Sequence, residues 1–181
     1  MKKIIIAGAA ALIAAAAAYA VYSGLFTGVE ITEKNIGPLK LVYEEHVGDY
    51  RESGRIQNTV YRELASAGIM TKKGFGIYYD DPKTVPAEKL RSRVGCVIER
   101  EDYGKIPGQA KKFKIMDLPE RKCVYAEFPH RTWLSIVFGI SRVYPAMSEY
   151  VKARGYRFSE VIEIYDVPLK KIVYAMAAVK K

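Results

Sequence analysis

Alternation of apolar and polar residues divides most of the chain into two copies of one pattern. The first copy reads "GPLKLVYEEHVGDYRESGRIQNTVYRELASAGIMTKKGFGIYYDDP" and the second "ERKCVYAEFPHRTWLSIVFGISRVYPAMSEYVKARGYRFSEVIEIYDVP". Each has a "VY.E" strand (Val42–Tyr43, Val124–Tyr125), a helical stretch closing on glycine, an "IY" strand and a turn ending at Pro82 or Pro168. A further apolar run follows in both, "LRSRVGCVIE" and "KKIVYAMAAV". Such self-similarity marks a duplicated supersecondary unit. In the first copy Ile56, Val60, Leu64 and Ala67 fall at helical spacing, with Ser53 at the start and Gly68 past the end. In the second, Ile136, Ile140, Val143, Met147 and Val151 repeat the pattern up to Gly155, and Pro145 predicts a kink or a break into two helices. β-Branched and aromatic enrichment between Gly and Pro predicts the strands. The expected fold is α+β: strand–helix–strand–strand twice, an antiparallel sheet with helices on one face and a ligand groove on the other.

The N-terminus breaks the pattern. After Lys2 and Lys3, residues Ile4 to Phe26 carry no charge, enough to cross a bilayer core of about 30 Å as a helix. Tyr19, Tyr22 and Phe26 gather at its far end, where interfacial aromatics belong. We read residues 1–26 as a signal anchor or transmembrane helix, 27–35 as a linker and 36–181 as the domain, with repeat units at about 36–100 and 110–181. "AYA" at Ala18–Ala20 keeps a cleaved secretory signal open as the alternative. The lysines precede the span and two glutamates follow it, so the positive-inside rule exports the domain.

Composition adds limits. The 181 residues suffice for one domain, and 8 prolines argue against widespread disorder. The net charge of +9 is scattered without long basic runs or a nucleic-acid motif, so surface charge is expected and nucleic acid is not. Cys96 and Cys123 lack metal spacing, and whether they pair is open. Asp80, Asp81 and Asp166 sit before prolines as turn residues, too few for calcium. His46 and His130 occupy similar repeat positions without further ligands, so no metal is expected. No phosphate loop or other cofactor signature is present, so no cofactor is expected either.

Period 2 sorts the strands. In "EVIEIYD" Ile162 and Ile164 share one face, Glu163 and Tyr165 the other. With the isoleucines assigned to the helices, Glu163 and Tyr165 are expected on the open face. Ile77 and Tyr79 align with them, and Tyr174 and Met176 join from the last strand. A carboxylate among tyrosines has its charged form disfavoured, and it can pair with a cation or act as a general acid or base.

The run "FGIYYDDPKTVPAEKLRSRVGCVIE", the preceding "GPLKLVYEEHVGDYRESG" and "EVIEIYD.P" resemble the GyrI-like small-molecule-binding family, a bacterial-type effector-binding domain. The similarity runs from about residue 36 onward and is greatest to the membrane-anchored branch that includes the testis-expressed ER-phagy receptors. The resemblance implies a groove for bulky, hydrophobic or cationic compounds, with Glu163 and Tyr165 as its acidic strand. Tyr43, Tyr79, Tyr125 and Trp133 would be pocket aromatics, beside Tyr174 from the face assignment. It also implies, as an alternative, a hydrolase of cyclopropane-type electrophiles using Glu163 and tyrosines. A protein-interaction adaptor is a third reading. No helix-turn-helix precedes the domain and no long acidic tail follows it, so neither transcriptional regulation nor an autophagy-receptor role is expected. The protein partner, if any, is left open.

Overall fold

A computed structural model describes residues 2–109, 111–157 and 159–180. Helix α1, Lys2–Tyr22, projects from the domain with no buried residue. At 1.5 Å per residue its 21 residues span about 31 Å. Eight strands follow: β1 (Thr32–Ile36), β2 (Leu39–Val47), β3 (Lys73–Tyr78), β4 (Arg91–Ile98), β5 (Lys114–Leu118), β6 (Arg121–Pro129), β7 (Val161–Asp166) and β8 (Lys171–Ala177). Helix α2, Ser53–Ser66, lies between β2 and β3, and α3, Trp133–Ala153, between β6 and β7.

The duplication is explicit in the sheet, whose order is β1-β6-β8-β7-β3-β4-β2-β5 with antiparallel ladders throughout. Units β2-α2-β3-β4 and β6-α3-β7-β8 meet where β3 pairs with β7, Gly76 opposite Glu163 and Gly74 opposite Tyr165. Two short edge strands complete them. β1 begins inside the expected linker 27–35, runs on to Ile36 and pairs with β6, while β5 pairs with β2. "TEKNI" hid from periodicity because its polar residues sit on an edge, where no buried face enforces alternation. The bounds expected at residues 110 and 181 lie outside the described residues.

Both helices cover the same face. Ile56, Val60 and Leu64 of α2 are buried, and Val60 and Leu64 pack with Val42, Cys96 and Ile98, while Ala67 is exposed. Val143, Met147 and Val151 of α3 pack on Val124, Val161, Ile172 and Met176. Gly68 and Gly155, at φ 73° and 69°, stop the two helices in the left-handed conformation glycine tolerates. The first helical turn at Tyr50–Glu52 is capped by Asp49 rather than Ser53. Helix α3 stays one element through Pro145 instead of dividing in two, and Ile140, expected on its buried stripe, faces outward.

The opposite face covers itself. Ile36 of β1 and Leu118 of β5, at the two edges of the sheet, join one cluster with Leu41, Phe75, Ile77, Val97, Ile162 and Ile164. The sheet must curl for these to meet. The groove expected on that face is therefore packed with side chains. Cys96 and Cys123 are free and buried on opposite faces.

Of the strand glycines 74, 76 and 95, Gly95 is the one whose Cβ would run into backbone: it would lie 2.0 Å from the carbonyl oxygen of Val42 and 2.7 Å from Tyr43 Cα. Because backbone cannot step aside as a flexible side chain can, Gly95→Ala is expected to destabilise the domain by about 2 kcal/mol or more, read as a lowered urea midpoint.

Candidate functional site

Glu163 lies at the middle of β7, 2% exposed, and points at α3 rather than at the opposite face. Tyr144 of α3 donates to its Oε1 at 2.7 Å, and Tyr165, two residues along the same strand face, donates to Oε2. No basic side chain pairs with it among the described residues. Tyr78 and Tyr174 stand close enough to feel its charge. The rings of Tyr144 and Tyr174 meet edge to face at 5.9 Å, and Tyr50 meets Tyr78 at 4.8 Å. Tyr174 is fully buried, and its hydroxyl has no hydrogen-bond partner among the described residues.

Glycines make this room. On β3 the positions facing the helices are Gly74, Gly76 and Tyr78, and two of the three are glycine. Cβ atoms at the two glycines would meet Gln57 of α2 at 1.8 Å and the Tyr78 hydroxyl at 2.6 Å. On α3 a Cβ at Gly139 would stand 2.3 Å from the Tyr174 hydroxyl. A glycine inside a strand leaves space for something to approach closely; at Gly76 the Tyr78 ring takes that space beside the paired Glu163.

The electrostatics follow from burial. Loss of water raises the Glu163 carboxyl above its ordinary value of 4.5, and the two tyrosine hydroxyls oppose the rise by donating to the charged form. Burial and the neighbouring carboxylate push Tyr144, Tyr165, Tyr78 and Tyr174 upward as phenols, so they stay protonated donors. His130 meets Tyr165 at 5.7 Å between ring centroids and is shifted down by burial. The arrangement offers one buried carboxyl, an aromatic wall and a spare hydroxyl. It suits a hydrophobic cation, and a carboxyl of raised affinity for protons also suits acid–base chemistry.

The structure divides the residues expected to act together. Glu163, Tyr165 and Tyr174 share the cluster beneath α3, with the isoleucine and glutamate faces of β7 exchanged relative to expectation. Tyr43, Tyr79 and Tyr125 lie across the sheet in or against the opposite cluster. There Arg93 sits over Tyr43 and Tyr79 at 5.4 and 5.6 Å, and Lys34 over Tyr125 at 4.3 Å. Trp133, 67% exposed at the start of α3, is three turns from Tyr144 and outside both clusters. The inversion arises because β7 is buried on both faces, so alternation shows two sets but not which one the helices cover. Tyr78 and Tyr144 went unrecognised. The glycine alternation 74, 76 points at Tyr78, two residues on, instead of Tyr79; nothing local singles out Tyr144.

Asp80 accepts from Arg91 at 2.7 and 3.0 Å and takes part in the β3–β4 turn, with Tyr50 bonded to its backbone. Asp81 caps the same turn through Lys83.

A duplicated strand–helix–strand–strand sheet holding a buried acid among tyrosines under one helix is the architecture of a ligand-binding domain. The sequence profile of the GyrI-like small molecule binding domain matches residues 29–170, and the chain belongs to that family. It is 35% identical over 157 residues to testis-expressed protein 264 homolog of Mus musculus and 34% over 158 to testis-expressed protein 264 of Homo sapiens. Each match covers 82% of this chain but 49% of the relative, so the chain spans about half the length of these curated relatives. The fold is similar to EcmrR in its complex with DNA (TM-score 0.63, 15% identity, 99% of this chain and 69% of the other). It is also similar to SAV2435 bound to tetraphenylphosphonium (TM-score 0.53, 14% identity, 83% and 94%).

Protonation of Glu163 carries a stability signature. A carboxyl whose folded-state pKa is raised contributes stability that is complete below the ordinary value of 4.5 and is lost as pH climbs through the raised one. Wild type is therefore expected to lose melting temperature across that window. Glu163→Gln, which keeps an acceptor for one tyrosine and cannot ionise, is expected to show no such loss and to exceed wild type at neutral pH. Parallel slopes in a thermal-denaturation series against pH would refute the assignment.

Proposed function

We propose that the protein is a membrane-tethered receptor for hydrophobic or cationic small molecules, which it binds between α3 and the sheet with Glu163 as counter-charge. One observation carries the reading: a carboxylate buried without a cation, held only by tyrosine hydroxyls. A charge so placed is costly unless satisfied, and two phenols satisfy it less fully than a cation would. A bulky aromatic cation would stack on Tyr144, Tyr165 and Tyr174 while neutralising Glu163. That a fold relative is bound to tetraphenylphosphonium fits the same chemistry. Tyr43, Tyr79, Tyr125 and Trp133 have no part in this version of the site.

Glu163 is covered, so entry requires α3 to lift. Pro145 follows Tyr144 directly and cannot donate the backbone hydrogen bond of an ordinary helical residue, which weakens α3 where it covers the carboxylate. The tether is α1, uncharged from Ile4 onward and long enough to span. Its last turn is gripped by the domain, which favours an anchor over a cleaved leader. Lys2 and Lys3 favour a cytoplasmic N-terminus and an exported domain.

A second reading is supported by the raised proton affinity of Glu163 beside the Tyr165 hydroxyl: hydrolysis of a strained electrophile, with Glu163 as general acid or base. Turnover of a cyclopropane-bearing electrophile, lost in Glu163→Gln, would establish it.

For the leading reading, tetraphenylphosphonium titrated into the purified full chain is expected to bind saturably. Glu163→Gln is expected to weaken that affinity about tenfold or more, the loss of one charged partner. Equal affinity in the two proteins would overturn the proposal. A reporter fused after Lys181 that is active only in the cytoplasm would overturn the orientation.

A further inference from the structure

The exit of α1 is built into the domain. The Thr132 hydroxyl donates to the buried Ser23 Oγ at 2.7 Å, and Arg131 donates to the Tyr22 carbonyl at 3.1 Å with its guanidinium over the Tyr22 ring at 5.4 Å. Arg142 donates to the Thr27 carbonyl at 2.7 Å, and Gly24 packs on Phe128. The segment after α1 thus follows the first three turns of α3. These contacts hold the end of α1 and the segment after it against the start of α3.

What surrounds that exit is unusual for a surface. Trp133 opens α3, and the β7–β8 turn Val167-Pro168-Leu169 exposes two aliphatic side chains. Tyr22, His130, Arg131, Thr132, Val167 and Lys170 line one open depression of about 280 Å³. The hairpin is tied to the start of α3 by the His130 N–H, which donates to the Lys170 carbonyl at 2.8 Å. Lys170 adopts φ 48°, a left-handed conformation that costs a side-chain-bearing residue about 1 kcal/mol and that glycine would take freely. The nearby carboxylates are otherwise engaged. Glu127 pairs with Lys171 at 2.7 Å, and buried Asp166 accepts from the Leu169 N–H at 3.0 Å. Arg131 and Lys170 have no carboxylate partner among the described residues.

We infer that this face rests on the bilayer that α1 crosses, with Trp133, Val167 and Leu169 entering the interface and Arg131 and Lys170 contacting anionic phospholipid headgroups. The inference depends on the tethering reading of α1. Aromatic and aliphatic side chains beside cations, at the mouth of a membrane span, match the layered polarity of an interface. Each cation near an anionic surface adds about 1 kcal/mol, a value that belongs to the anionic cytoplasmic leaflet; on the exported side that Lys2 and Lys3 favour, the gain scales with the anionic phospholipid of the leaflet facing the domain. With the junction packed, the residues cannot swing away from the membrane that begins at Tyr22.

Trp133 is the one tryptophan of the sequence, so its emission reports this surface alone. The full chain is reconstituted into phosphatidylcholine vesicles, with and without phosphatidylserine, containing phosphatidylcholine brominated on its acyl chains. The expected result is blue-shifted Trp133 emission quenched by the brominated lipid, more strongly with phosphatidylserine. The double variant Val167→Glu, Leu169→Glu is expected to lose the quenching. Lys170→Glu is expected to lose its dependence on phosphatidylserine, and all variants should resist carbonate extraction. Unquenched, water-like emission from a chain that resists extraction overturns the resting face and leaves the tether standing. Extraction by carbonate overturns the tether and the face together. A blue shift without quenching assigns the face to a second copy of the chain, and quenching unchanged in the variants assigns it to proximity alone; either overturns the inference.

Discussion

A carboxylate sealed beneath a helix, with no cation beside it, has to be met by neutral donors. Glu163 meets this demand through Tyr144 and Tyr165, which approach from different elements. One hydroxyl comes from the helix and the other from the strand, so the bond geometry fixes α3 against β7 as well as satisfying the acid. The glycines at 74, 76 and 139 follow from the same demand. Aromatic rings crowd around a small acid only if neighbouring positions give up their side chains. The cluster around the acid is made by omission on β3 and α3 and by bulk on β7 and β8.

The duplication explains why this arrangement has one acid and not two. Strands β3 and β7 are equivalent in their units and pair along the centre of the sheet. Their helix-facing positions meet across the seam, glycine opposite glutamate and glycine opposite tyrosine. A second glutamate at Gly76 would place two buried carboxylates directly opposite each other, and like charges so close cannot both ionise. One repeat supplies the charge and the other supplies the space.

Much of this was legible in the chain. The repeat, the strand–helix–strand–strand order, both helix-ending glycines and the α+β class follow from periodicity and turn chemistry, because those signals are local. The identity of Glu163, Tyr165 and Tyr174 as one face of adjacent strands follows from period 2. What period 2 cannot supply is the side on which the helices lie when both faces are buried, and so Tyr79 was aligned with a cluster that the sheet separates from it; Tyr43 and Tyr125, which the family resemblance supplied, lie on that far side too. A shift of one residue exchanges every side chain between faces, and Tyr78 was lost to Tyr79 for that reason. Edge strand β1 is polar but for Ile36, and in β5 only Met116 and Leu118 join the self-covered face, too short an alternation to stand out. Tyr144 depends on the packing of α3, which no local pattern encodes.

The two regions of chemical interest touch through His130. His130 lines the depression at the exit of α1, and its ring also lies against Tyr165, which donates to Glu163. A displacement of the Tyr165 ring would disturb the acid's hydrogen bond at one end and the histidine's packing at the other. Tyr144 provides the second route, since it sits on the helix whose N-terminal turn binds Ser23 and whose later turn binds the Thr27 carbonyl. Helix α3 therefore cannot lift as a rigid rod from Glu163 without straining the α1 junction. Its freedom lies beyond Arg142, in the turns around Pro145, where the missing backbone donor leaves the helix weakest and where Tyr144 covers the carboxylate.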